Sequence, residues 1–243
     1  MEIIEVSHFK KSFGNKVVHR DVNFVVKQGE CLGLLGGSGA GKSVILRSMI
    51  GLERPDNGQI QIEGIDVTNL DEAKLVDIRK RVAYVFQNGA LFDSMTIFDN
   101  IAYPLREHTK LKEHEIREQV LSTLQMFNMH GTENMLPAEL SGGMQKRVGL
   151  ARAIILKPDI ILYDEPTAGL DPANTVKIQN LIVQLKGTGV TSILVTHDMD
   201  TALRVCDRLA FLENGSVENL GMVSDLKQDP VQILQLFIRG QSD

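Results

Sequence analysis

Apolar positions along this chain follow two rhythms, and the alternation between them predicts the architecture. Short, continuous apolar runs at Cys31–Leu35, 82–86, 160–163, 192–196 and 209–212 read as strands buried on both faces. Helical periodicity is clearest over 44–50, 72–80 and 115–126. Buried strands alternating with helices predict a parallel sheet covered on both sides. The beginning differs: β-rich pieces at 3–6 and 22–26 flank Gly14 and Asn15, a turn signal, and 59–63 reads as a half-buried strand. Residues 88–156 are mostly helical in pattern. The chain therefore reads as a single α/β domain, its core formed by 1–87 and 157–243, with a β-rich start and a helical insertion over 88–156. No internal repeat, low-complexity tract or long linker interrupts it.

Between the strand Cys31–Leu35 and the helix pattern from 44 lies Gly36-Gly37-Ser38-Gly39-Ala40-Gly41-Lys42-Ser43, which fits G-x-x-x-x-G-K-[ST] in the strand-before, helix-after setting that gives the motif its meaning. Backbone N–H groups left open by the glycines converge on an anion, and the following helix adds its positive end. Lys42 would reach the β- and γ-phosphates, and the Ser43 hydroxyl would ligate Mg2+. The glycines do not spell G-x-G-x-x-G, so a dinucleotide site has no footing.

Two further segments acquire meaning beside that loop. The run 160–163 delivers Asp164 and Glu165, the first suited to holding Mg2+ and the second to polarising an attacking water. Taken alone, an Asp-Glu pair before Pro166 is equally a solvated strand end. Leu140, Ser141, Gly142 and Gly143 precede a helix pattern over 144–156, with Ser141 as its N-cap and Pro158 beyond its end. Open N–H groups at such a start make a second anion receptor, although an ordinary capped helix would look the same. One chain needs no second receptor for one triphosphate; two chains can each supply the other's. His197 follows the run 192–196, which places its imidazole at the same sheet edge. His8, His19, His108, His114 and His130 lack such a placement and are expected to be solvated.

Composition narrows the choice of partners. The 243 residues are 43% hydrophobic and 23% charged, with a formal net charge of −5, ordinary for one globular domain and unlike the basic excess of a nucleic-acid binder. No apolar run approaches the ~18–20 residues that span a bilayer, and the acidic start lacks the basic, apolar pattern of a secretory signal. A cytosolic chain that meets a membrane through a partner is expected. Cys31 and Cys206 match no metal-ligand spacing and read as small buried thiols.

In their order along the chain, the phosphate loop, Gln87, Leu140 to Gly143, Asp164-Glu165, Ala168-Gly169-Leu170-Asp171 and His197 resemble the ABC ATPase family, over essentially the whole sequence. The resemblance implies a P-loop NTPase (RecA-like) core with an N-terminal antiparallel β subdomain and an inserted α-helical signature subdomain. It implies ATP and Mg2+ as ligands and a homodimer with ATP between the copies. It also implies Phe13 stacked on adenine, Gln87 sensing Mg2+ and water, and Ser141, Gly142 and Gly143 completing the opposite protomer's site. Asp171 would couple the two sites, Glu165 would act as base, and His197 would grip the γ-phosphate. Met144 departs from the glutamine common after the signature, and methionine cannot make that residue's polar contacts.

The stretch 87–108, from Gln87-Asn88-Gly89 through Tyr103-Pro104-Leu105, most resembles the phospholipid-transporting ATPases of the maintenance-of-lipid-asymmetry type. That likeness implies integral-membrane permease subunits, Mce-domain and STAS-domain subunits, and a peripheral location on the cytoplasmic face of the bacterial inner membrane. Leu91, Phe92, Ile97 and Phe98 would line the permease groove or fill the insertion's core. The sequence stops soon after 232–240, so a longer regulatory tail is not expected. A small-solute importer remains a second transport reading. DNA-repair and translation ATPases usually carry coiled coils, zinc cysteines or a second cassette, which this sequence lacks.

Overall fold

A computed structural model describes residues 1–229, 231 and 235; apart from Gln235, the segment 232–240 singled out above lies outside the described residues. The chain opens with strands β1 (Glu2–Phe13), β2 (Lys16–Lys27) and β3 (Cys31–Leu35), then helix α1 (Lys42–Met49), β4 (Asn57–Ile62), β5 (Ile65–Asp66), α2 (Glu72–Arg81) and β6 (Val82–Val85). The insertion holds α3 (Ile97–His108), α4 (Glu113–Met126) and α5 (Gly142–Ile154). The core resumes with β7 (Ile160–Asp164), α6 (Pro172–Lys186), β8 (Thr191–Thr196), α7 (Met199–Val205), β9 (Arg208–Glu213), β10 (Ser216–Met222) and α8 (Val223–Leu226).

Ten strands form one sheet in the order β5-β4-β1-β2-β10-β9-β3-β8-β7-β6. The half from β9 to β6 is parallel, and β1 pairs antiparallel with both β2 and β4. Burial on both faces explains the unbroken apolar runs: every residue of β3, β7 and β8 is buried. Alternate side chains feed two cores. One includes Ala83, Val85, Ile161, Tyr163 and Leu194 with the inserted helices; the other includes Leu34, Ile45, Leu46, Leu162, Ile193 and Val195 with the first strands.

Boundaries shift where side-chain periodicity gives no signal. Helix α1 starts at Lys42 rather than 44, and α5 starts at Gly142 rather than 144. The first-turn N–H groups have no partner within a helix, so glycine is tolerated there. Cys31 and Cys206 are both fully enclosed, their sulfurs 3.8 Å apart, as free thiols.

His19 corrects the expectation that it is solvated: it is 1% exposed. The N–H groups of Arg20 and Asp21 both donate to Gly215 O, a bulge that breaks the strict alternation of β2 and turns His19 inward. Its ring meets Phe9 edge-on at 5.1 Å between centroids. The other four histidines named with it are exposed, as expected.

Helix α5 meets the loop after β6 by backbone contact. A Cβ added to Gly149 would lie 2.7 Å from Gly89 Cα and 2.9 Å from Gly89 O. Alanine improves helix propensity by ~1 kcal/mol over glycine, yet overpacking of this kind typically costs ~1–3 kcal/mol. Gly149→Ala is therefore expected to lower the midpoint of thermal or urea unfolding; a raised midpoint would show that the loop yields freely.

Candidate nucleotide site

The parallel register brings the motif residues to one edge. Leu35 pairs with Thr196, Asp164 with Val195, and Val85 with Tyr163, so the loops beginning at Gly36, Glu165, His197 and Phe86 leave neighbouring strands at nearly one level. Adjacent strands lie ~4.8 Å apart, which puts these groups within reach of one small ligand.

In the phosphate loop, Gly41 holds φ at 97° and forms the N-cap of α1 without a side-chain cap. A Cβ there would meet Val18 Cγ1 at 2.5 Å and His19 Nε2 at 2.6 Å, so both the conformation and the space demand glycine. Lys42 donates to Gly36 O at 2.8 Å and Gly37 O at 2.9 Å, and its Nζ lies 3.7 Å from Glu165 Oε1. Burial lowers the Lys42 pKa, opposed by the Glu165 and Asp164 carboxylates.

Ser43 Oγ donates to Asp164 Oδ1 at 2.6 Å, and Tyr84 Oη donates to Asp164 Oδ2, also at 2.6 Å. Glu165 holds φ at 48°, an unusual value for a residue with a side chain. Its Oε2 lies 3.0 Å from His197 Nδ1. Lys42, Ser43, Asp164, Glu165 and His197 are thus gathered into one cluster. The Ser43 hydroxyl and Asp164 carboxylate are hard oxygen donors suited to Mg2+, which takes one or two carboxylates and completes its shell with water and phosphate oxygens.

The remaining candidates stand apart from that cluster. Phe13 ends β1, 45% exposed, with Lys11 Nζ 5.1 Å from its ring centre, a surface aromatic open to stacking. Gln87 is exposed just past β6. Ser141 caps α5 by accepting from Met144 N–H, and Gly143 lies close to Asn174. Helix α5 packs on α3, α4, α6 and β6, whereas α1 packs on β4 and β7. Asp171 caps α6, and the Asn174 hydrogen bonds hold its carboxyl below the usual range. Met144 packs against the core of the insertion. Sequence reasoning missed Tyr84; an aromatic inside an apolar run gave no sign of its hydroxyl's partner.

The loop after Gln87 is knitted from within. Asn100, fully buried, donates to the carbonyls of Phe92, Met95 and Thr96 and accepts from Phe92 N–H. Arg152 donates to Gly89 O and Ala90 O and lies 5.3 Å from the Phe92 ring centre. Ile97 is fully buried, and Leu91 and Phe98 are packed on the core, so they fill the insertion. Phe92 remains 43% exposed beside Tyr103 at 39%.

The ABC transporter family profile matches residues 19–168. The chain is 43% identical over 239 residues to the probable ribonucleotide transport ATP-binding protein mkl of Mycobacterium leprae, covering 98% of this chain and 69% of that protein. It is 38% identical over 242 residues to the intermembrane phospholipid transport system ATP-binding protein MlaF of Haemophilus influenzae, covering 99% and 92% respectively. The dimeric post-hydrolysis structure of the ATP-binding cassette MJ0796, bound to ADP and Pi, superimposes with a TM-score of 0.82 at 32% identity, covering 90% of this chain and 99% of that one.

Behind the loop, His19 carries a cost. Neither ring nitrogen meets a partner in hydrogen-bonding geometry, and burial lowers its pKa to about 4, only partly offset by the Gly41 backbone. The unfolded chain takes up this proton near pH 6.5 and the folded one only near pH 4. His19 therefore draws stability away as pH falls through that window, by roughly 2–3 kcal/mol at its lower end. His19→Leu is expected to flatten that part of the stability profile in urea titrations from pH 7 to 4. Parallel profiles for parent and variant would exclude a buried neutral imidazole.

Proposed function

Because the chain belongs to the ABC transporter family, as an ATP-hydrolysing subunit, we propose that two copies clasp two ATP molecules between them and drive phospholipid transport between membranes. The convergence of Lys42, Ser43, Asp164, Glu165 and His197 on one sheet edge is the observation that carries the ATPase reading. Likeness to MlaF over 99% of this chain supports the phospholipid reading.

In this reading the loop from Gly36 to Ser43 cradles the phosphates, and Phe13 stacks on the adenine. Ser43 and Asp164, with Gln87, hold Mg2+, which would neutralise charge on the triphosphate. Glu165 accepts a proton from the attacking water, and His197 donates to the γ-phosphate. The copy opposite contributes Ser141, Gly142 and Gly143, and Asp171 relays between the sites. Closure is driven because only the closed pair grips the γ-phosphate from both sides. The exposed Phe92 and Tyr103 supply an apolar patch for a permease helix. Mce-domain and STAS-domain subunits complete the assembly, and this chain sits peripherally at the cytoplasmic face of the bacterial inner membrane; among the described residues no helix is long and apolar enough to cross a membrane itself.

Import of a small solute is the second reading, favoured by the likeness to the ribonucleotide transport protein. Reconstitution of the chain with its co-purifying permease separates the two. Expected is ATP-dependent movement of labelled phospholipid between vesicles, without ribonucleotide or amino-acid uptake; the reverse result would replace the phospholipid assignment. A general base contributes ~10²–10⁴ in rate, so Glu165→Gln is expected to cut phosphate release at least ~100-fold while an ATP-bound dimer accumulates on size exclusion. Brisk release by that variant would remove Glu165 from the base role.

A further inference from the structure

We propose that Tyr84 is a positioning residue for the metal half of the site, fixing the Asp164 carboxylate so that one chosen oxygen faces Ser43. The inference rests on the reading that Asp164 and Ser43 hold Mg2+, and it adds a residue from a different strand to that machinery.

The register makes the contact a consequence of topology. Tyr84 pairs with Leu162 across β6 and β7, and Asp164 lies two residues beyond Leu162. Side chains two apart in a strand share a face, so the tyrosine and the aspartate emerge on the same side of the sheet, diagonally adjacent. A tyrosine is long enough to cover that offset, and its hydroxyl reaches Asp164 Oδ2 at 2.6 Å. Ser43 takes the other oxygen, Oδ1, at the same distance. Asp164 is 4% exposed, so the two hydroxyls fix its carboxylate plane where solvent cannot.

Helix α1 completes the arrangement from above. Ser43 and Arg47 are four residues apart, one turn, and so lie on one face of that helix. Burial and the Asp164 carboxylate raise the pKa of the Tyr84 phenol, and the Arg47 side chain opposes them. Toward the carboxylate the phenol hydroxyl is the donor. Tyr84 is braced sideways by Phe86, with 4.4 Å between ring centres. Outer partners of this kind orient a ligand without touching the ion, and their loss typically weakens metal binding ~10–100-fold.

The test is a metal titration of the full chain rather than turnover alone. Binding of fluorescent trinitrophenyl-ATP is followed against Mg2+, and Mn2+ binding to the nucleotide-loaded protein is followed by electron paramagnetic resonance. Tyr84→Phe, which keeps the ring and removes only the hydroxyl, is expected to raise the metal midpoint ~10-fold. Nucleotide binding without metal should stay within about twofold of the parent, as should the KM for MgATP at saturating metal. Asp164→Asn, run in parallel, should lose most of the metal response. A parental midpoint for Tyr84→Phe alongside a lost response in Asp164→Asn overturns the role of Tyr84 and leaves the site reading standing. A parental response in Asp164→Asn overturns both. If Tyr84→Phe changes only thermal stability, the hydroxyl is structural and the proposal fails.

Discussion

Everything at this site depends on the register of parallel strands. The loop beginning at Gly36 and those carrying Glu165 and His197 follow β3, β7 and β8, paired so that Leu35 meets Thr196 and Asp164 meets Val195. A one-residue slip would exchange the two faces of a strand, sending Asp164 away from Ser43 and misfitting the side chains packed into the two cores. The same apolar packing that stabilises the sheet therefore fixes the chemistry. Because all ten residues of β3 and β7 are buried, register is strongly specified here, and the polar groups inherit that precision.

Electrostatics then determine what such a cluster accepts. Lys42 stands among the carboxylates of Asp164 and Glu165, with Lys146 also acting on Glu165. A triphosphate arriving alone would bring further negative charge against both carboxylates in a poorly solvated place. A divalent cation beside Ser43 and Asp164 reverses the sign of the argument, since its charge offsets both carboxylate and phosphate. The two carboxylates differ in their surroundings. Asp164 accepts one hydroxyl donor at each oxygen, while Glu165 sits with Lys42 and His197 on a backbone at positive φ. One is held still, as a metal ligand would need to be; the other keeps an oxygen free of well-aligned donors, which suits proton transfer.

Much of this was legible in the sequence because it is written in local patterns. Apolar runs marked the buried strands, the glycine spacing marked the anion loop, and Ser141 marked the start of α5. What escaped depended on partners distant in the chain. Tyr84 looked like part of an apolar run because its hydroxyl partner lies 80 residues away. His19 looked solvated because its inward turn depends on Gly215, in a hairpin at the far end of the sequence. Leu91, Phe92, Ile97 and Phe98 could not be sorted between core and surface, since that depends on how Asn100 and Arg152 fold the loop around them. The close approach of Gly89 and Gly149 is equally invisible, being a meeting of two absent side chains.

The placement of the insertion supports the proposal that one chain does not complete its own site. Helix α5 is anchored on α3, α4, α6 and β6, and among the described residues no hydrogen bond or ion pair ties Ser141, Gly142 or Gly143 to the phosphate loop of the same chain. Its N-terminal N–H groups still need an acceptor, and Gly142 leaves that end unobstructed, with open space where a Cβ would stand. A second copy can bring an anion there without refolding either partner. Helix α5 is also joined to the loop after Gln87 through Gly149 and through Arg152, whose guanidinium grips Gly89 O and Ala90 O. The start of α5 is therefore linked to the exposed Phe92 through one helix and two backbone carbonyls. If Ser141 to Gly143 receive an anion and the loop of Phe92 meets a permease, as proposed, their coupling needs no long relay, because one helix carries the first at its start and holds the second on its flank.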